Sequence, residues 1–208
     1  MPTFEDLAPW LLGTLLISPA AARAVRGSAG MALAAAVAAA AFAPLPGGVN
    51  LSGLMLSVTS ILSVPTALLL AAAIVRYWHR IVWFSNRDLR PYYAFNVALG
   101  VAVYASTLGF FDFDVYDDGY RFSWLFICLA AATIAFAAAA NRTCLLLLFA
   151  ISAWLVRLLP TPNVVDYFLD VPLFIFSAAM TGKFMLNAMR SRKTKAQNSK
   201  AAVVADSA

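Results

Sequence analysis

The stretch Phe122-Ser-Trp-Leu-Phe-Ile-Cys-Leu-Ala-Ala-Ala-Thr-Ile-Ala-Phe-Ala-Ala-Ala-Ala140 carries no charged residue. Its apolar side chains follow neither the 3.6-residue stripe of an amphipathic helix nor the alternation of a half-buried strand. A continuous apolar run of this length suits a helix whose whole circumference meets lipid or other helices.

Six further blocks read the same way: Leu7 to Ala22, Ser28 to Ala43, Leu51 to Val75, Tyr92 to Phe111, Thr143 to Leu159 and Val171 to Met189. The composition agrees, with 62% hydrophobic and 12% charged residues and a mean hydropathy of +0.80. A soluble domain carries roughly 25% charged residues to keep its surface hydrated, and half that supply does not cover a water-soluble globule of this size. The expected fold is therefore all-α, a polytopic transmembrane helical bundle of six or seven spans. A crossing needs about 20 residues. The first two blocks are shorter, at roughly 24 Å of helix each. The chain divides into residues 1–27, a short span or an interfacial helix; residues 28–190, the bundle; and residues 191–208, a basic cytoplasmic tail expected to be disordered.

Charge sets the direction. With the tail in the cytoplasm, Arg23, Arg26, Arg76, Arg80, Arg87, Arg90, Arg142 and Lys183 fall on the inner side, together with Arg190, Arg192, Lys193, Lys195 and Lys200. These are 13 of the 15 basic residues. Asp112, Asp114, Asp117, Asp118, Asp166 and Asp170 fall outside. Lys and Arg in short loops favour the cytoplasmic face, so the separation predicts a cytoplasmic C-terminus. Short loops and high alanine content place the chain in a bacterial inner membrane.

Several function classes drop out. The basic residues form no groove or repeat, so nucleic acid is not an expected partner. The single histidine, His79, cannot supply the paired axial ligands of a membrane haem. Cys128 and Cys144 are not spaced as a redox or metal pair. No cofactor is expected.

Four constellations remain. Asp112, Asp114, Asp117 and Asp118 crowd one outer loop, where carboxylates could hold a hard cation, although the spacing is not that of an EF-hand. The other reading is a solvated acidic loop. Asp166 and Asp170, one helical turn apart, could do general acid–base work together with Arg157 near the outer end of its block. The other reading makes Asp170, ahead of Val171 and Pro172, a helix N-cap. Gly53, Ser57, Ser60 and Ser63 share a helical face in the third block. Pro65 would free the Ile61 carbonyl there, so this face could line a path or form a packing seam. Finally, Arg76, Trp78, Arg80, Trp83, Arg87 and Arg90 mix cations with aromatics at the inner face, which suits anionic headgroups or a docking partner.

The expected function is transport, either by this chain alone or as a membrane subunit of a larger transport or envelope-assembly complex. The alternative is a membrane enzyme acting on a lipid-linked substrate through Asp166 and Asp170. Expected partners are the bilayer and other membrane subunits or a second copy.

Overall fold

Pro65 marks the start of the first described helix, not its middle. The computed structural model describes residues 62–206 and the isolated helical positions 29, 32 and 36, with side chains described as far as Ser191. In it α1 runs Val64–His79 with Pro65 in its first turn. A helix needs no acceptor for its first N–H groups, so a residue without one fits there. The kink expected from Pro65 inside a 51–75 span is therefore not formed. Gly53, Ser57 and Ser60 lie outside the described residues. Helix α1 ends at Arg80, whose φ of 58° is left-handed.

A second boundary also differs from expectation. Asn86 to Pro91 reads as a break, yet α2 spans Asn86–Thr107. Ser85 caps it: its hydroxyl accepts from Asp88 N at 3.2 Å, while the Asp88 carboxylate accepts from Ser85 N at 3.0 Å. This reciprocal box satisfies two amide donors and starts the helix early. Pro91 follows close to that end, where only the Arg87 carbonyl loses its donor.

The rest follows the apolar blocks. A 3-10 helix covers Asp117–Tyr120, α3 covers Trp124–Ala138 and α4 covers Cys144–Leu155. A short α5, Val164–Phe168, fills the connection before α6. Helix α6 runs Val171–Asp206 without a break, through the stretch expected to be disordered. The tail has neither Pro nor Gly beyond Gly182 and is rich in Ala and Lys, both good helix formers.

All seven described elements are helical, with no strand among the described residues. Helices α2 and α6 make the most extensive helix pair, and α4 packs on α1, α3 and α5. One core joins them, with Tyr92 on α2, Leu129 on α3, Leu146 and Ala150 on α4, and Tyr167 and Phe168 on α5. The outward faces are also apolar: Ile127 is 58% exposed, Ile134 69% and Ile175 62%. Among the described residues, the one helix long and apolar enough to cross a membrane is the segment Val171–Ser191 of α6, of which 11% is buried. Helices α1, α3 and α4 are apolar but shorter.

Candidate functional site

Asp170 is the junction of the fold. Its position before Val171-Pro172 makes it the N-cap of α6, and Oδ1 accepts from Leu173 N at 2.6 Å. The other carboxylate oxygen leaves the helix. Oδ2 accepts from Ser63 N at 2.8 Å, Ser63 Oγ at 2.8 Å and Thr66 Oγ1 at 2.6 Å. Ser63 is fully buried and Asp170 is 6% exposed. The start of α1 is thus tied to the start of α6 through a carboxylate whose two oxygens are both occupied. The sequence places Ser63 and Asp170 in separate constellations, and the structure brings them together.

Asp166 sits in a different set of bonds. It accepts from Thr161 Oγ1 at 2.6 Å and from Tyr116 Oη at 3.1 and 3.3 Å. Asn163 completes this layer, donating from Nδ2 to the Tyr116 carbonyl and accepting from Val165 N as the cap of α5. Gly119 lies so close that a Cβ there would run into the Asn163 side chain. Burial pushes the Tyr116 hydroxyl well above the ordinary tyrosine range, and the neighbouring Asp166 carboxylate adds to it. Asp166 and Asp170 therefore have separate partners and share none of the bonds named here.

Arg157 is exposed and pairs with neither aspartate. It lines a cavity of about 230 Å³ with Tyr120, Trp154 and Thr161. The acidic loop is likewise dispersed. Asp117 and Asp118 lie 3.8 and 3.6 Å from Arg121, Asp118 accepts from the Trp124 indole, and Asp114 accepts from Tyr116 N. Among the described residues, no three His, Cys, Asp or Glu side chains gather in a way that could hold a metal ion.

The aromatic and basic residues from Arg76 to Arg90 divide between two helices and their connection. Arg76 and Trp78 lie in the last turn of α1, Arg80 and Trp83 in the connection, and Arg87 and Arg90 in the first turns of α2. Arg90 stacks over the Phe184 ring at 4.8 Å, a cation–π contact between α2 and α6. Arg76 and Trp83 border a cavity of about 500 Å³ between α1, the start of α2 and α6. Its walls are mostly apolar, including Leu69, Tyr93, Phe176 and Met180, and Thr66 lines it too. Thr66 and Arg76 are ten residues apart on α1, or roughly 15 Å. The cavity thus runs along α1 from Thr66, a member of the Asp170 cluster, to the Arg76 cation.

The sequence reading misses Tyr116, Thr161 and Asn163 as a layer around Asp166. Thr161 and Asn163 are visible only as turn residues between two prolines, and nothing local links them to Tyr116. No protein-family model, curated protein or solved structure matches this chain.

Proposed function

We propose that this chain is a small multi-pass protein of a bacterial inner membrane, with six or seven spans and a cytoplasmic C-terminus. It works in transport, as a carrier or as the membrane subunit of a larger transport or envelope-assembly complex. The membrane placement rests on composition, on the separation of bases from acids, and on the apolar outward faces of α3, α4 and α6. Contiguous exposed apolar surface of this kind calls for lipid or a partner.

The observation that carries the transport reading is the cavity between α1, α2 and α6. An apolar chamber of this size with one cationic edge suits an apolar or amphipathic molecule. The enzymatic alternative draws no support from the carboxylates. Both Asp170 oxygens are filled by donors, and Asp166 is held by Tyr116 and Thr161.

The test is site-specific photo-crosslinking in the native membrane from Leu69 or Phe176, both in the cavity wall. Adducts with a small apolar molecule or with a membrane protein support the reading. Adducts confined to this chain's own residues 1–61 overturn it, because the chamber would then be an internal packing site.

A further inference from the structure

Four polar side chains meet in the contact between α2 and α6. Tyr92 and Asn96 lie one turn apart on α2, and Ser177 and Thr181 lie one turn apart on α6. Contacts on both sides of them fix the register. Arg90 stacks on Phe184, and the Tyr93 and Phe176 rings meet edge to face at 5.6 Å. Gly100 lies so close to Phe174 that a Cβ would run into its ring. The helices are therefore antiparallel, with 92–96 set against 177–181.

Tyr92, Asn96 and Ser177 are sealed from solvent and Thr181 is half-buried with its hydroxyl covered, yet none of their polar side-chain atoms is hydrogen-bonded among the described residues. Tyr92 and Ser177 are 0% exposed and Asn96 is 1% exposed. Tyr92 Oη, both amide atoms of Asn96, Ser177 Oγ and Thr181 Oγ1 are buried without a hydrogen-bond partner among the described residues. A buried polar atom left unpaired is costly, and five in one helix contact call for a ligand that satisfies them together.

The chemistry of the five atoms selects the ligand. Asn96 presents a donor and an acceptor, and each hydroxyl can serve as either. A cation would leave the Asn96 Nδ2 hydrogens facing positive charge. An anion would find no cationic group among the four. An apolar guest would leave every atom unpaired. Asp170 already has its oxygens occupied by Ser63, Thr66 and Leu173 N. We propose that the α2–α6 seam is an internal hydration site, in which bound water bridges Tyr92 and Asn96 to Ser177 and Thr181. Water supplies donors and acceptors in the mixture this seam requires.

The site also has a structural meaning. The most extensive helix contact in the described fold is joined through water at its centre rather than by direct side-chain bonds. Tyr93 and Phe176, adjacent in sequence to Tyr92 and Ser177, line the large cavity, so the wet seam borders its wall.

The test uses the full chain in lipid bilayers, labelled with ¹⁵N-asparagine, and reads magnetisation transfer from water to side-chain amides. Asn96→Leu assigns the Asn96 signal. The expected result is clear transfer to the Asn96 amide, weakened several-fold in the Ser177→Ala, Thr181→Val double variant with the remaining spectrum unchanged. The wild-type measurement needs no variant to fold. Absence of transfer at Asn96, with transfer seen at the exposed Asn86, overturns the proposal. So does transfer that the double variant leaves unchanged, because that water would not be bridging the seam. Neither outcome depends on whether the chain carries a substrate.

Discussion

Ser63 gives Asp170 both its backbone N–H and its hydroxyl, each at 2.8 Å, across 107 residues of chain. With the 2.6 Å bond from Thr66 Oγ1, this sets the position of α1 relative to α6. Hydrogen bonds to a buried carboxylate are stronger than neutral ones, and removing the acceptor leaves its donors buried and unpaired. Asp170→Ala should therefore destabilise the protein by about 3 kcal/mol or more, and Thr66→Val by about 1.5–3 kcal/mol. Unfolding midpoints of detergent-purified variants measure both. A midpoint unchanged in Asp170→Ala would remove the structural role assigned to this junction.

Half of that junction is legible in the sequence. Asp170 precedes Val171-Pro172, and a short acceptor before proline is the local mark of an N-cap. Its second oxygen reaches a residue more than a hundred positions away, and no local pattern encodes that distance. Hydropathy misplaces Pro65 for a related reason. It registers apolar blocks but not where a helix begins, so 51–75 looks continuous. At Asn86 to Pro91 the proline suggests a stop, while Ser85 and Asp88 supply a start that outweighs it. The seam residues Tyr92, Asn96, Ser177 and Thr181 are scattered polar letters in apolar surroundings. Only the register of α2 against α6 brings them together.

The Ser85–Asp88 box is open to direct test. Removing an N-cap hydroxyl costs about 1 kcal/mol, so Ser85→Ala should lower stability by that amount at neutral pH. The pH dependence has a definite sign. The Ser85 side chain is the largest cause holding the Asp88 carboxyl below its ordinary value of 3.8. A carboxyl lowered on folding contributes stability fully above its unfolded value, and loses it as pH falls through the folded one. Wild type and Ser85→Ala should thus differ most above pH 3.8 and draw closer below it, keeping the share owed to the bond from Asp88 N to the Ser85 hydroxyl. Parallel unfolding curves for the two proteins at neutral and acidic pH would show the narrowing.

Two glycines give opposite outcomes for the same substitution. Gly100 packs against the Phe174 ring, and an added methyl must displace that ring. Gly100→Ala should destabilise by about 1–3 kcal/mol, the range for overpacking a filled contact. A Cβ on Gly182 would meet nothing within 4 Å. Within α6 the same exchange should stabilise by up to about 1 kcal/mol through helix propensity. Thermal unfolding of the two variants side by side checks the sign of each. A stabilised Gly100→Ala would mean that α2 and α6 are not held at this distance.

Tyr116 joins the connection between α2 and α3 to Asp166, and its hydroxyl is the group that reports on that contact. Burial, and then the Asp166 carboxylate, raise its ionisation well above the ordinary value of 10. An acid raised on folding contributes stability that is complete below its unfolded value and is lost as pH climbs through the folded one. Tyr116 should accordingly stay protonated in an ultraviolet titration through pH 10 and ionise only at higher pH or on unfolding. Tyr116→Phe should leave that part of the folded titration unchanged and cost about 1 kcal/mol at neutral pH, since the pair is only partly buried. Removing Thr161 Oγ1 as well should cost more than the two single losses added together, because Asp166 then keeps neither hydroxyl. A double-mutant cycle over Tyr116→Phe and Thr161→Val measures that coupling, and a value of zero would mean the two hydroxyls do not share the carboxylate.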